Sequence, residues 1–266
     1  MDQKGRAELF RGLHAKGAPT LVLYNIWDVG SALAVANSGA PAALATSSSA
    51  LSASHGFDDG QVLPLSVLLE TVEQITVVAA HLPLSVDFEG GYAESPDEVR
   101  ANVGMLIAAG AVGLNFEDQR PGPGPSWSNG QGMYSVAEQV ARIRACREAA
   151  DAAGVPLVIN ARTDLFLKES DPAKHSLLFG EAMERAAAYA DAGADCFFIP
   201  ALENDLDLIA RICAESPLPV NAMHLGPPSG VVALATAGVA RVSHGSMPFR
   251  ATQDWLGDRA RNAARL

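Results

Sequence analysis

Short apolar runs alternate with longer helical ones along this chain, and the alternation repeats eight times. Strand candidates begin at Leu21 ("LVLYNIWD"), Ala42 ("AALATSSS"), Pro83 ("PLSVDFE"), Gly113 ("GLNFED"), Leu157 ("LVINARTD"), Cys196 ("CFFIPA"), Pro219 ("PVNAM") and Arg241 ("RVSHG"). Each is mostly apolar on both faces, as a parallel strand covered on both sides should be, and each leads into a helical pattern. After the third run, Ser95 is the expected N-cap, Pro96 opens the first turn and Glu98 stands three residues past the cap. "AAGA" at 108–111 and "DAGA" at 191–194 precede strands, where glycine can end a helix and turn the chain back. Eight strand–helix units in 266 residues describe a (β/α)8 TIM barrel, with 1–266 as a single domain. A doubly wound open sheet would need a glycine-rich phosphate-binding fingerprint, and the sequence has none.

Composition excludes several other classes. At 48% hydrophobic and 18% charged residues the chain can bury one large core. No apolar run is long enough to span a bilayer, and the N-terminus is polar and amphipathic, so a cytoplasmic location is expected. A formal net charge of -11 argues against nucleic-acid or anionic-membrane partners. Cys146, Cys196 and Cys213 are odd in number and embedded in apolar runs, which reads as buried free thiols rather than disulfides or a zinc site.

In such barrels the reactive groups sit at the strands' C-terminal ends. The polar residues here obey that rule: Trp27 and Asp28, Ser47 to Ser49, Asp87 and Glu89, Glu117 and Asp118, Arg162 to Asp164, Asn221 and His224, and His244. Asp87 and Glu89, two positions apart, should face the same way on a strand. Two adjacent carboxylates call for a metal ion, a basic side chain or water between them. Asp28, Asp118 and Asp164 read equally well as helix caps. His224 suits a general acid/base or a capping and orienting role, and His55 a surface role. Tyr92, after the Gly90-Gly91 turn, is placed to offer its hydroxyl to a substrate, with Trp27 and Asn221 as further contacts. The Pro/Gly-rich run 121–125 reads as a lid over the site. The last helical stretch, from Thr252, is amphipathic: it would pack on a partner subunit or cover the barrel bottom.

The segments "NIWD", "ATSSSALSASHGFDDG", "VDFEGGY", "NFEDQ" and "INARTD" together resemble the phosphoenolpyruvate mutase/isocitrate lyase superfamily, in order and over nearly the whole chain. The resemblance implies a Mg²⁺-dependent barrel that binds a 2-oxo acid or its enolate. It places Asp87 and Glu89 at the metal-binding acidic pair, with Glu117 and Asp59 at two further acidic positions. Arg162 falls at the substrate-binding arginine, and Thr46, Ser47 and Ser48 on the loop whose amides and hydroxyl hold the substrate carboxylate. It also implies a swapped last helix in dimers that pair into tetramers.

The residue chemistry agrees with that transfer. Mg²⁺ takes oxygen ligands, keeps several waters and is held by one or two direct carboxylates, so further acids would hydrogen-bond those waters. Mn²⁺ could replace it, and no organic cofactor is expected. The catalytic set is then Arg162, Glu117, Asp59 and His224. One departure is informative: the loop after the fourth strand, "EDQRPGPGPSWSNGQGMYS", lacks the cysteine that isocitrate and methylisocitrate lyases carry there and the lysine of phosphonomutases. Arg120, Ser126 and Asn129 are its loose substitutes, and Pro200 stands where those relatives place histidine or glutamate. Trp27, Phe88, Tyr92, Trp127 and Met223 are expected to set the pocket's size. The expected function is a Mg²⁺-dependent lyase cleaving a carbon–carbon bond of a small 2-oxo or 2-hydroxy acid through a metal-stabilised enolate. The alternatives are a phosphorus–carbon bond enzyme and a barrel that binds an oxo acid without turnover.

Overall fold

The computed structural model describes residues 1–15, 17–121, 132–202, 205–226 and 228–264. In chain order its elements are α1 (Gln3–Gly12), β1 (Leu21–Leu23), α2 (Val29–Asn37), β2 (Leu44–Ala45), α3 (Ser48–Ser54), α4 (Leu65–Val78), β3 (Leu84–Asp87), α5 (Pro96–Ala108), β4 (Gly113–Glu117), α6 (Val136–Ala153), β5 (Val158–Arg162), α7 (Leu165–Lys168), α8 (Phe179–Asp191), β6 (Cys196–Ile199), α9 (Leu206–Glu215), β7 (Val220–Met223), α10 (Pro228–Thr236), β8 (Arg241–Ser243) and α11 (Met247–Ala263). A 3₁₀ turn, Pro172–Leu178, precedes α8. All eight sequence-predicted strands are present, each shorter than its apolar run.

The strands pair in parallel in the order β1-β8-β7-β6-β5-β4-β3-β2. Beyond the short ladders, Ile26 bridges Thr46, with the Ile26 amide donating to Ala45 O at 2.8 Å and the Ser47 amide to Ile26 O at 3.1 Å. That bridge joins β1 to β2 and closes the (β/α)8 barrel. Asn25 fastens the same seam: its Nδ2 donates to Thr46 O (2.7 Å) and its Oδ1 accepts from the His244 and Gly245 amides (2.8 and 3.0 Å). The expected helix start at Ser95 is also present, the Ser95 hydroxyl accepting from the Glu98 amide. Cys146 and Cys196 are buried and Cys213 partly so, all three free, and burial pushes their thiols up to about 12, 12 and 11.

The barrel interior departs from the apolar expectation. Asn160 Nδ2 donates to Asn115 Oδ1 and Asn221 Oδ1, both at 2.8 Å, and the fully buried Arg241 donates from Nη2 to Asn115 Oδ1 (3.1 Å) and Ser85 Oγ (3.3 Å). Neighbouring strands supply part of what water would, while Asn160 Oδ1 and Arg241 Nε and Nη1 are buried without a hydrogen-bond partner.

The closure of the barrel bottom also differs from one sequence reading. It is α1 that packs there: Phe10 lies so close to Gly113 that a Cβ on that glycine would fall 2.5 Å from the ring. Gln3 Nε2 ties the helix to Ile107 O (2.7 Å) and Ala111 O (3.0 Å). The C-terminal α11 instead leaves β8 at the opposite, C-terminal rim. Its first turns border the mouth, and Trp255 and Leu256 are 58% and 54% exposed. No described helix is long and apolar enough to cross a membrane.

Candidate active site

A cavity of about 490 Å³ opens at the C-terminal rim. One wall is polar, with Ser47, Ser48, Ser49, Asp59, Asp87 and Arg162, and the other is apolar, with Leu167, Phe198, Pro200, Met223 and Leu225.

Asp87 and Glu89 are brought together by a turn rather than by strand alternation. β3 ends at Asp87, and Glu89 adopts φ 50, a left-handed conformation that non-glycine residues hold only when their surroundings enforce it. Glu89 Oε2 accepts from the Gly60 and Gln61 amides (2.9 and 2.8 Å) and Oε1 from the Tyr92 hydroxyl (3.1 Å). Gln61 (φ 64) and Tyr92 (φ 56) are likewise left-handed, and Gln61 Oε1 accepts from the Tyr92 amide at 2.6 Å. Three strained residues thus hold one another, and Gln61 went unnoticed in the sequence because glutamine in a loop carries no motif.

Asp87 Oδ2 accepts from the Ser48 amide (2.9 Å) and Oδ1 from Asn115 Nδ2 (3.4 Å), while the Asp87 amide donates to Thr46 Oγ1 (2.9 Å). Thr46 is therefore a buried backbone anchor rather than a group bordering the cavity. The Ser47 and Ser48 amides are both already engaged, by Ile26 O and Asp87 Oδ2.

Arg162 is held in a fork. Its Nε and Nη2 donate to Asp164 Oδ1 (2.5 Å) and Oδ2 (3.0 Å), and Nη1 lies 2.9 Å from Glu117 Oε2. Burial opposes its charge, but Asp164, Glu117 and Asp87 more than offset that and raise its pKa. The three aspartates that read equally as caps now separate. Asp28 caps α2 in a capping box with Ser31. Asp164 makes no cap bond and orients Arg162. Asp118, fully buried, accepts from the Asp164 amide (2.9 Å), Arg185 (3.1 Å) and the Tyr189 hydroxyl (2.8 Å).

Burial, Asp59 and Asp87 push the Glu89 carboxyl up to about 8. Burial also raises Glu117, with Asp164, Glu89 and Asp87 adding to it against the pull of Arg162. Four carboxyl groups gathered this closely, with Glu89 and Glu117 raised by burial and by their acidic neighbours, are suited to a hard, oxygen-seeking divalent cation. The donor set fits Mg²⁺ or Mn²⁺ in one way: Asp87 and Asp59 border the cavity and could ligate, whereas Glu89 and Glu117 do not border it and are turned to Tyr92 and Arg162. No three acidic, imidazole or thiol groups among the described residues form a metal cage. One or two direct carboxylates with retained waters is the usual arrangement for Mg²⁺.

Several expected contacts lie outside this cavity. Trp27 stacks edge-on against Phe249 at 5.2 Å and lines a neighbouring groove with Tyr24. Tyr92 is turned to Glu89. Asn221 is fully buried, donating to Arg241 O and Ala222 O (both 2.9 Å). His224 is buried behind Met223, its ring 6.3 Å from that of His244. Alternation past the end of β7 explains the pair: when Met223 faces the cavity, His224 faces away. Phe88 is a core residue, and His55 bonds back to Leu51 O. Arg120, at the edge of the loop, is pinned by Glu138 (2.6 Å) and lies over the Tyr134 ring. Ser126, Trp127, Asn129 and most of the expected lid lie outside the described residues. The cavity adds residues that the sequence did not single out: Asn115, Asn25, Ser243, Arg250 and Asp254.

Acidic groups, a forked arginine and serine hydroxyls gather at the C-terminal rim of a parallel (β/α)8 barrel, the end at which barrels of this class carry their reactive groups. Comparison with known proteins makes the class particular. Residues 10–264 match the phosphoenolpyruvate phosphomutase family, and the chain belongs to that family, within the phosphoenolpyruvate mutase/isocitrate lyase superfamily. It is 35% identical over 246 residues to an uncharacterized protein of Mycobacterium tuberculosis, covering 91% of this chain and 83% of that one. To the 2-methylisocitrate lyase of Salmonella typhimurium it is 32% identical over 216 residues, covering 81% and 68%. A solved structure from Burkholderia cenocepacia, provisionally assigned as a phosphonomutase, superposes with a TM-score of 0.88 at 41% identity, over 98% of this chain and 99% of that one.

Proposed function

We propose that this protein is a divalent-metal-dependent lyase that breaks a carbon–carbon bond of a small 2-oxo or 2-hydroxy acid. The observation that carries the reading is that Asp87 and Asp59 share one cavity with Arg162, whose guanidinium is oriented by Asp164 and Glu117. Asp87 and Asp59 would hold Mg²⁺ or Mn²⁺, with Glu89 and Glu117 behind them. A bound ion would supply Lewis-acid stabilisation of negative charge on the substrate's oxygens. This chain's own residues do the rest. Arg162 keeps N–H groups beyond those given to Asp164 and Glu117, and these meet the substrate's anionic oxygens in a fork that lysine could not reproduce. The hydroxyls of Ser47, Ser48 and Ser49 orient the carboxylate. Leu167, Phe198, Pro200, Met223 and Leu225 exclude water from the carbon skeleton.

Carbon–carbon chemistry is favoured over phosphorus–carbon chemistry because the loop after β4 lacks the lysine that phosphonomutases carry there. Proton transfer to the product falls to water or to the loop beyond Arg120, since His224 and Tyr92 are turned to other partners. Isocitrate should be a poor substrate, its lyase chemistry relying on the loop cysteine that is missing here.

The reading is tested by a turnover screen with Mg²⁺ against oxaloacetate, substituted malates, methylisocitrate, isocitrate and phosphonopyruvate, following pyruvate, glyoxylate and phosphate. A small oxo or hydroxy acid should be cleaved, reversibly lost on chelation, with Arg162→Ala lowering turnover at least 100-fold more than His224→Ala. Oxyanion stabilisation of this kind is typically worth about 10²- to 10³-fold in rate. Phosphate release from phosphonopyruvate, fast isocitrate cleavage or activity that survives chelation would each refute it.

A further inference from the structure

Charge balance in the cavity points to a residue of α11. Asp59 and Asp87 would be met by the divalent ion, and Arg162 already faces two carboxylates, Asp164 and Glu117. A substrate with a second negative group would therefore find no spare cation on the polar wall. Among the described residues that line the cavity, one other is cationic: Arg250, in the first turn of α11. No carboxylate lies within ion-pairing distance of it among the described residues, although Asp254, one turn on, borders the same mouth.

The barrel order places this side chain. β8 stands four strands round from β4, so α11, which leaves β8, rises across the mouth from Glu117 and Arg162. Between the two ends lie Pro200, Met223 and Leu225, which can contact a carbon chain but cannot offer charge. The cavity thus has an acidic head that could hold a divalent ion beside Arg162, an apolar middle and a second guanidinium, Arg250, on the β8 side. Arginine is the side chain suited to a carboxylate at a half-open rim, because its fork gives two parallel N–H bonds.

We infer that Arg250 is a specificity-determining residue that binds a second carboxylate, so the substrate is a dicarboxylic 2-oxo or 2-hydroxy acid rather than a monoacid. The inference rests on the oxo-acid reading above and deepens it. Asp254 then serves to reject acids whose chain runs past Arg250, since a carboxylate placed against it is repelled.

The test compares acids that differ only by the second carboxylate: lactate with malate, and 2-hydroxybutyrate with 2-hydroxyglutarate. Binding is measured by calorimetry in Mg²⁺ for the wild type, Arg250→Ala and Arg250→Lys, with oxalate as a probe of the head alone. In at least one pair the wild type should bind the diacid tenfold or more tightly than the monoacid. Arg250→Ala should bring that ratio within threefold of one and leave the oxalate affinity within twofold of wild type, and Arg250→Lys should recover part of the preference. A wild-type ratio near one in both pairs, or a preference that Arg250→Ala leaves intact, overturns the role of Arg250 while the oxo-acid reading stands. Failure of the wild type to bind oxalate in Mg²⁺ overturns that reading and this inference with it.

Discussion

At Glu89 the backbone's preference and the site's needs pull apart. A glutamate at positive φ, buried beside two aspartates, persists because Gly60, Gln61 and Tyr92 occupy its oxygens and Gly91 (φ 80) packs against Phe116, where a Cβ would fall 2.9 Å from the ring. Its carboxyl, pushed up to about 8 by burial, Asp59 and Asp87, holds a proton in the folded metal-free protein that the unfolded chain has lost above its ordinary value of 4.5. A raised carboxyl stabilises the fold fully below the unfolded value and loses that contribution as pH rises through the folded one. Thermal melting of metal-free protein should therefore fall as pH rises from about 5 to above 8. Glu89→Gln, which mimics the protonated form, should flatten the profile and melt above wild type at the alkaline end; an equal slope in the variant would refute this assignment. The acid pair itself was legible as "VDFEGG", because two carboxylates closing an apolar run are expensive without a purpose. That a turn, and not a strand, unites them was not legible, since left-handed glutamate is set by Gln61, far away in sequence.

At the scale of elements, the eight strands were legible because each is a short apolar run bounded by helix signals, and their order along the chain is their order round the barrel. The asparagine layer inside was not, because Asn115, Asn160 and Asn221 are sequence-distant and pair only once the barrel closes. The outward turn of His224 follows from Met223 facing in, a parity that needs the register to be known. For α11, amphipathicity was visible, but which rim it leaves was not, and so Arg250 escaped notice. The exposed Trp255 and Leu256 give this helix a surface suited to burial against a second copy of the chain, the swapped helix that the family resemblance implies. Light scattering should find a dimer or tetramer, and the double substitution of Trp255 and Leu256 by aspartate should reduce it to a monomer with unchanged circular dichroism. A monomeric wild type, or a double variant of undiminished size, would count against this role for the helix.

Across the whole molecule, stability and chemistry are placed at opposite ends of one barrel. The bottom is closed by α1, where Phe10 is fully buried against Gly113, stacks edge-on with His14 at 4.7 Å and lies beneath the Arg241 guanidinium. None of those side chains borders the cavity. The top gathers Asp59, Asp87, Glu89 and Glu117, whose mutual repulsion works against folding until a cation binds. Each end should therefore answer to mutation in its own way. Phe10→Ala removes a buried ring from a site too tightly packed to collapse, at a cost of about 3–5 kcal/mol in unfolding free energy. Its effect on turnover below the melting transition should stay within about threefold, because the rim is held by its own hydrogen bonds and not by α1. Asp87→Ala should do the reverse: loss of the bond from the Ser48 amide is offset by relief of repulsion on the neighbouring carboxyls, so metal-free stability changes far less than in Phe10→Ala, with oxalate binding in Mg²⁺ lost. Denaturant melts and calorimetry on the two variants decide the matter. If Asp87→Ala unfolds as readily as Phe10→Ala, or keeps its oxalate affinity, the acidic rim is a structural device and the proposed chemistry falls with it.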